Sequence, residues 1–350
     1  MVSALFLAAG AFDDDEGGPR ARVASAASPD TAALFRRARR GVVLVEARPR
    51  GTPLSFGRPS RGDGVATGTG FVIDDDGHIV TNDHVAAGGR VITVQAALRA
   101  RRVTARIVGR DPSTDLALLR VDPREAPGLR PLPLGDSGDV RAGDTAIAIG
   151  SPYGLQHTLT VGVVSAIERT IDAPDGFPIV GALQTDAAIN SGNSGGPLLD
   201  AAGRVIGVNA QTEPDTTGIA YAIPVDTVKR IVPELRREGR VERAYLGVAT
   251  AELEPDLARR LRLPVRRGLI VREVTNGSPA DEAGVRGARS VERGVPRGGD
   301  VLVAIDGVRL GETADLTASL ERLRPGDEVE LTLIRAGSRT TVDVELGRRR

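Results

Sequence analysis

Few side chains in this sequence can act as a general base. It contains three histidines and no cysteine, so thiolate nucleophiles and thiolate metal sites are excluded. His78 follows an Asp-Gly turn signal, and His157 has no acidic residue close to it in sequence, so we interpret both as structural. His84 lies in TNDHV, where a β-type run ends in a polar corner, and we expect its imidazole to face a cleft.

A glycine-rich stretch supplies a candidate nucleophile. Ser194 lies in GNSGGP, directly before an apolar run. A serine hydroxyl attacks only when a positioned base takes its proton, and that base needs a buried carboxylate to fix its tautomer. Asp115 directly precedes the apolar run LALLRV and is the candidate, whereas Asp111 precedes a proline and is interpreted as a turn residue. The predicted catalytic residues are therefore His84, Asp115 and Ser194.

The glycines around the serine suit an acyl-transfer site. Such a site directs two backbone N–H groups at the developing oxyanion, which requires a tight turn. We predict an oxyanion hole from Gly192, Asn193 and Ser194, with the N–H groups of Gly192 and Ser194 as donors and Asn193 bridging them. Gly195 and Gly196 would let a substrate backbone approach. The alternatives are a plain glycine-rich turn and a phosphate-binding loop, and the second is disfavoured because no Lys-Ser or Lys-Thr follows the glycines.

Short apolar runs separated by turn residues predict a mainly β chain. Two series of such runs suggest two barrels or sheets, and VDTVKRIVPELRREG then changes to helical spacing. A third, shorter series follows, together with a helical TADLTASLERL. The apolar positions that define the two helices are Val228, Ile231, Val232 and Leu235 in the first, and Leu316, Leu320 and Leu323 in the second.

At 350 residues the chain is long enough for two domains. We place the first domain at 31–236, a charged linker at 237–243 and the second domain at 244–350. Residues 1–30 are expected to be a disordered leader. Its apolar VSALFLAAGAF is shorter than the ~20 residues of a membrane span and lacks a basic start, so we interpret it as either a truncated signal peptide or an apolar tail.

The charge balance argues against a nucleic-acid partner. Lys plus Arg and Asp plus Glu are 46 each, which gives a formal net charge of zero. The basic run FRRARR at Phe35–Arg40 is interpreted as a solvated face. No metal or organic cofactor is expected, since the histidines are far apart in sequence and thiols are absent.

The motifs TNDHV, STDLALL and GNSGGPLL, in the order His, Asp, Ser, resemble the chymotrypsin-like serine proteases, and specifically the HtrA/Deg (DegP-like) family. VATGTGFVID and GIAYAIP also resemble segments of that family. The resemblance implies two six-stranded β-barrels with the triad in the cleft between them, His84 and Asp115 from the first barrel and Ser194 from the second. Asn193 stands where the digestive proteases have an aspartate, so activation is expected to be conformational.

The C-terminal domain resembles a single PDZ domain of the HtrA type, an α+β fold, through GSPADEAGVR and GGDVLVAIDG. Tyr245, Leu246, Gly247 and Val248 match its carboxylate-binding loop, whose amides would receive the C-terminus of a peptide. The strand that begins there and the helix at Leu316–Leu323 would flank that peptide. The alternative is a structural β-domain that binds nothing.

The resemblance also identifies a specificity pocket. In the chymotrypsin-like arrangement the residue six positions before the nucleophile lies at the base of the pocket, and here it is Ala188, followed by Ile189. A buried Lys or Arg would lose hydration there without gaining a partner, whereas an aliphatic side chain would gain from burial. We therefore expect cleavage after Val, Ala or Leu and little after Lys, Arg or Asp.

Together these features imply an ATP-independent serine endopeptidase that cleaves unfolded or damaged proteins in protein quality control and the stress response. The resemblance implies a periplasmic or other extracytoplasmic location, with membrane association through a missing N-terminal segment as one option. It also suggests a homotrimer, for which the N-terminal region offers Phe35 and Phe56. The alternative function is a catalytically silent chaperone or PDZ adaptor, and the complete set of His84, Asp115 and Ser194 argues against it.

Overall fold

The structure is a computed structural model that describes residues 30–49, 65–96, 101–151, 158–190, 192–212, 218–292 and 295–348. The predicted leader lies outside the described residues except for Asp30, and so does His157. Asp30 caps the first helix, since its Oδ1 accepts a hydrogen bond from the N–H of Ala33 at 2.8 Å. The described part of the chain therefore starts at a helix N-terminus.

Within the described residues, six antiparallel strands close the first barrel in the order β1-β2-β3-β6-β5-β4. Alternate residues of β1 serve two cores: Val43, Val45 and Ala47 pack inside the barrel, while Val42 joins the cluster between the two barrels. The elements are α1 (Thr31–Ala38), β1 (Val42–Arg48), β2 (Ala66–Val72), β3 (His78–Asn82), α2 (Asp83–Ala86), β4 (Val91–Gln95), β5 (Val103–Asp111), a 3₁₀ turn (Pro112–Thr114) and β6 (Leu116–Arg120).

A second barrel of six described strands closes in the order β10-β11-β12-β9-β8-β7. The helix that follows it buries Val225, Val228, Ile231 and Leu235 in the cluster between the barrels, while Val232 is only partly buried. The elements are β7 (Thr145–Gly150), β8 (Thr158–Asp172), β9 (Pro178–Thr185), β10 (Pro197–Leu199), β11 (Val205–Thr212), β12 (Ala220–Pro224) and α3 (Val225–Glu238). Two closed barrels confirm the predicted double-barrel class.

The C-terminal domain is a small sheet with three helices in its described part. Its main sheet has the order β14-β15-β18-β20-β21, with β19 on β18, so β14 is an edge strand. The elements are β13 (Ala244–Tyr245), β14 (Val248–Glu252), α4 (Pro255–Arg260), β15 (Leu269–Val274), α5 (Pro279–Glu282), β16 (Ser290–Glu292), β17 (Val295–Arg297), β18 (Val301–Ile305), β19 (Val308–Arg309), α6 (Thr313–Leu320), β20 (Glu328–Arg335), β21 (Ser338–Glu345) and β22 (Gly347–Arg348).

Helix α6 is shorter than the sequence pattern predicts. It ends at Leu320, so Leu323 lies beyond it, although both leucines still pack against the domain core beside the buried Leu316. Among the described helices, none is long and apolar enough to cross a bilayer.

The predicted linker is fixed against the first barrel. Helix α3 extends to Glu238, so the first two residues of the predicted linker are helical. The N–H of Arg110 then donates to Gly239 O at 3.1 Å. The guanidinium of Arg243 contacts both carboxylate oxygens of Asp111, with Nη2 at 2.6 Å from Oδ2, and these side chains are only 11% and 3% exposed. Asp111 is therefore half of a buried ion pair and not simply a turn residue.

Breaking this pair should destabilise the protein. Asp111→Ala leaves the guanidinium of Arg243 buried without its partner, a situation that typically costs about 3 kcal/mol. We expect a lower midpoint of urea unfolding, measured by far-ultraviolet circular dichroism. Asp122→Ala is the control, because Asp122 pairs with the largely exposed Arg124. An unchanged midpoint for Asp111→Ala would contradict a structural role for the pair.

Candidate active site

His84 reaches the cleft because strand β3 ends one residue before the short helix α2. Asn82 is extended, with φ −74° and ψ 150°, and the chain then turns into the helix that bears the histidine. The Asn82 side chain is buried, and its Nδ2 donates to Asp115 O at 2.9 Å. This bond joins the β3–α2 corner to the segment that bears the predicted carboxylate.

Asp115 is held in a left-handed conformation, with φ 52° and ψ 41°, at the end of the 3₁₀ turn. Its carboxylate is 5% exposed and accepts from the backbone N–H of His84 at 2.9 Å. His84 Nδ1 lies 2.8 Å from Asp115 Oδ2. Because an ionised carboxylate only accepts hydrogen bonds, Nδ1 carries the proton and Nε2 is left to accept one when the ring is neutral.

The protonation of His84 follows from this environment. Burial lowers the pKa of the imidazole, but the hydrogen bond and charge of Asp115 outweigh it, with a further contribution from the charge of Asp83. The net effect is a pKa above the ordinary value of an imidazole. The ring is 39% exposed, so solvent and a substrate can reach it.

Ser194 lies in a turn before β10 and is half-buried. Its carbonyl oxygen accepts from the N–H of Thr69 at 2.8 Å. A Cβ placed on Gly68 would lie 2.6 Å from Val85 Cγ2 and 3.0 Å from Ser194 O. Val85, the residue after His84, and the backbone of Ser194 therefore approach the same glycine.

Two glycines of the turn are required by its geometry. Gly192 has φ +105°, a region that a residue with a Cβ rarely adopts. Gly195 has φ +82°, and a Cβ there would lie 2.3 Å from Thr69 O. A Cβ on Gly196 would lie 2.3 Å from Ile149 O. Gly195 and Gly196 thus permit close approach to neighbouring strands, in addition to the substrate approach expected from the sequence.

The turn presents two backbone donors. The N–H of Asn193 donates to Asn190 O at 2.9 Å, and that of Gly195 donates to Asn209 O at 2.8 Å. Within the described residues, the N–H groups of Gly192 and Ser194 have no protein acceptor. These two amides are the donors predicted for an oxyanion, and Asn193 lies between them.

The side chain of Asn193 connects this turn to the predicted pocket. It is buried, and its Nδ2 lies 3.3 Å from Ala188 O, which also accepts from Thr160 Oγ1 at 2.9 Å. Ala188 is exposed, whereas Ile189 is buried in the core of the second barrel. Asn193 therefore links the nucleophile turn to the backbone of Ala188.

Sequence reasoning missed Thr69, which lies in the TGTGF run. Thr69 is fully buried, and its hydroxyl donates to Gly192 O at 2.5 Å and accepts from the N–H of Ser151 at 2.9 Å. With the bond from its own N–H to Ser194 O, it holds both sides of the nucleophile turn. The run of small residues was a signal of close backbone approach, but it did not indicate the partner.

The candidate peptide-binding loop lies at the edge of the C-terminal sheet. Gly247 has φ +87°, and a Cβ there would lie 2.2 Å from Ser278 Cβ. Among the described residues, no acceptor bonds to the N–H groups of Leu246 and Gly247. Edge strand β14 and helix α6 are in contact beside this loop, and the N–H of Thr313 donates to Glu252 Oε1 at 3.1 Å. The amides of Leu246 and Gly247 are thus available at the start of β14, and a peptide groove between β14 and α6 stays a prediction.

One group of side chains has the composition of a metal site. Ligand atoms of Asp74, Asp76 and His78 lie within 4.8 Å of one another in the β2–β3 turn. His78 Nδ1 lies 2.9 Å from Asp74 Oδ2, and Arg236 Nη2 contacts the same carboxylate. Asp74 is thus already engaged by a side-chain cation, and the group is explained by internal contacts.

Known protein families match the two parts of the chain separately. The model of the trypsin-like peptidase domain matches residues 68–208, and that of the PDZ domain matches residues 244–346. A probable periplasmic DegP-like serine endoprotease of Hahella chejuensis is 38% identical over 299 residues, which are 83% of this chain and 60% of that protein. The chloroplastic Protease Do-like 1 of Arabidopsis thaliana is 41% identical over 285 residues, 80% of this chain and 63% of that protein. The chain thus spans less than two thirds of the length of these curated relatives.

Solved structures agree over nearly their whole length. The HtrA-type protease AlgW with a tripeptide superimposes with a TM-score of 0.75 at 33% identity, covering 92% of this chain and 98% of that chain. The serine endoprotease from Yersinia pestis gives a TM-score of 0.68 at 28% identity, covering 91% and 98%.

The raised pKa of His84 predicts the pH dependence of serine acylation. Only the neutral ring accepts the hydroxyl proton, so a pKa above the ordinary value moves the rise in rate to higher pH. We expect the rate of labelling by a fluorophosphonate to reach half its maximum above pH ~6.5. The measurement is the labelling rate of the full chain between pH 5 and 9, and a midpoint below 6.5 would contradict it.

Proposed function

Because the chain belongs to the HtrA family of serine proteases, we propose that it is an ATP-independent endopeptidase that hydrolyses unfolded or damaged proteins through Ser194. The observation that supports this most directly is the contact of 2.8 Å between His84 Nδ1 and the buried carboxylate of Asp115. It leaves Nε2 as the proton acceptor for Ser194, whose own backbone N–H has no acceptor among the described residues.

In the proposed reaction, Ser194 Oγ attacks the carbonyl carbon of the scissile bond while His84 accepts its proton. Asp115 holds the ring orientation and stabilises the imidazolium. The N–H groups of Gly192 and Ser194 donate to the oxyanion of the tetrahedral intermediate, a type of contact whose loss costs about 10²–10³ in rate. His84 then gives its proton to the leaving amine, and water hydrolyses the acyl-enzyme by the same steps in reverse roles.

The substrate side chain on the acyl side of the cut is proposed to contact Ala188. The exposed, uncharged Ala188 and the apolar Ile189 behind it offer no counter-ion for Lys or Arg. Burying an unpaired charge is unfavourable, whereas a Val, Ala or Leu side chain gains roughly 25 cal/mol per Å² of apolar surface that it hides. Cleavage after small or medium aliphatic residues follows from this pocket.

The second domain is proposed to bind peptide C-termini in the groove between β14 and α6, with the carboxylate at the N–H groups of Leu246 and Gly247. The relatives are named periplasmic, and we propose an extracytoplasmic location for this chain as well. We also propose that the protein acts in protein quality control and that it assembles as a homotrimer.

Replacement of the nucleophile tests the proposal. Ser194→Ala should abolish fluorophosphonate labelling and lower the hydrolysis of denatured casein by at least about 10³-fold, because no hydroxyl remains to be acylated. Ser165→Ala, at an exposed position on β8, is the matched control and should retain full activity. Mass spectrometry of the products should show Val, Ala or Leu before the cut.

Other outcomes would identify the alternative. Folded wild-type protein that is not labelled at any pH, yet suppresses aggregation, would indicate a chaperone or adaptor. A predominance of Lys or Arg before the cut would contradict the assignment of Ala188 to the pocket.

The peptide-binding proposal predicts a requirement for a free carboxylate. A peptide that ends in valine should bind the full-length Ser194→Ala protein at least about tenfold more tightly as the acid than as the amide, since charge-assisted hydrogen bonds are lost in the amide. Fluorescence anisotropy measures both affinities. Gly247→Ala should weaken binding, whereas Gly337→Ala, also at positive φ but in open space, should not. Equal affinities for acid and amide would contradict the placement.

A further inference from the structure

Asp83 and Arg110 form an ion pair that the proposed reaction does not use. Arg110 donates through Nε to Asp83 Oδ1 at 2.6 Å and through Nη2 to Asp83 Oδ2 at 2.9 Å. The Asp83 side chain is 8% exposed and that of Arg110 is 34% exposed. A two-point contact between a guanidinium and a carboxylate fixes the orientation of both groups.

The acidic member of this pair adjoins the predicted base in sequence. Asp83 immediately precedes His84, and its N–H donates to Asp115 O at 3.0 Å, so both residues are bonded to Asp115. Burial raises the pKa of Asp83, against the lowering effect of the hydrogen bonds and charge of Arg110. The charge of Asp83 in turn favours the protonated form of His84, in addition to the stronger effect of Asp115.

Helix α2 packs against β1, β2, β3, β5, β6 and the 3₁₀ turn, and most charged groups on these elements already have partners. β2 and the 3₁₀ turn carry no charged side chain, His78 on β3 is paired with Asp74, Arg120 on β6 donates to Asp76 O, and Arg106 on β5 is exposed. On β1, Arg48 Nη2 lies 2.8 Å from Glu46 Oε2. Asp111 forms an ion pair with Arg243, and Asp115 forms a hydrogen bond with His84. Asp83 differs from these acidic residues, because its counter-ion is Arg110 and its neighbour in sequence is His84.

Arg110 is itself fixed in place. Its N–H donates to Gly239 O at 3.1 Å, and the residue that follows it, Asp111, is held by Arg243. The backbone that bears the guanidinium of Arg110 is therefore held by hydrogen bonds and ion pairs to residues of the linker.

We propose that the Asp83–Arg110 pair sets the pH range in which His84 is a neutral base. The negative charge of Asp83 favours the protonated form of His84, and the positive charge of Arg110 offsets part of that effect. Both residues act through His84 as positioning residues. The inference about His84 protonation stands on these contacts, while its consequence for the reaction rests on the proposed function.

The test is the titration of His84 in the full chain, followed by nuclear magnetic resonance with labelled histidine. Only three histidines contribute signals, and His84→Ala identifies the one of interest. Asp83→Asn should lower the titration midpoint by about half a pH unit, because a negative charge is lost. Arg110→Gln should raise it by a similar amount, because Asp83 loses its counter-ion. The double variant should lie between the two single variants.

A control variant distinguishes this effect from general destabilisation. Arg335→Gln removes the guanidinium that contacts both oxygens of the buried Asp300 in the C-terminal domain, a pair of the same chemistry far along the chain from His84. It should leave the midpoint unchanged. Shifts of the same sign in Asp83→Asn and Arg110→Gln, or no shift in either, would overturn the proposal and leave the pair a purely structural contact.

Labelling by fluorophosphonate separates this inference from the function. If the fluorophosphonate phosphonylates Ser194 with loss of fluoride, the midpoint of labelling against pH should move with the midpoint of His84 in each variant. Titration shifts without any labelling would support the role of the pair and refute the protease. Labelling with unshifted titration would support the protease and refute the role of the pair.

Discussion

The hydrogen bond between His84 and Asp115 is the contact on which the site depends. The carboxylate of Asp115 is almost inaccessible, and a buried carboxylate without hydrogen-bond partners would be strongly unfavourable. The two donors of His84, its backbone N–H and its Nδ1–H, compensate for this burial. The left-handed backbone of Asp115 and the side chain of Asn82 keep the two segments in register. The first barrel therefore supplies both the predicted base and the carboxylate that orients it.

The turn that bears Ser194 is held against the first barrel by close approach of backbones. Thr69 on β2 bonds to the carbonyl groups of Gly192 and Ser194, so one residue of the first barrel fixes both sides of a turn in the second. Gly195 makes such proximity possible, since a side chain there would lie 2.3 Å from Thr69 O of the first barrel. A side chain at Gly196 would lie equally close to Ile149 O, which belongs to the second barrel. The glycines thus serve the contact between the barrels as well as the turn itself.

The sequence predicts those parts of this arrangement that depend on local patterns of residues. Apolar runs and turn residues predict a mainly β chain with two barrels or sheets, and the family resemblance implied the double barrel. His84 emerges because there are only three histidines to compare. Ion pairs between distant residues cannot be found in this way. Arg243 lies 132 residues from Asp111, and with 46 basic and 46 acidic residues the sequence offers many equivalent pairings. The same limit hid Thr69, whose partner lies 123 residues away.

The end of strand β5 is shared between the site and the linker. Arg110 contacts Asp83 with its side chain and Gly239 with its backbone, while Asp111 contacts Arg243. Four residues later the same segment places Asp115 against His84. Asp111 also accepts from Thr114 Oγ1 at 2.5 Å, which fixes the 3₁₀ turn in between. The linker and the carboxylate that orients His84 are therefore attached to a single short segment. The linker can move without displacing that carboxylate only if these buried contacts rearrange.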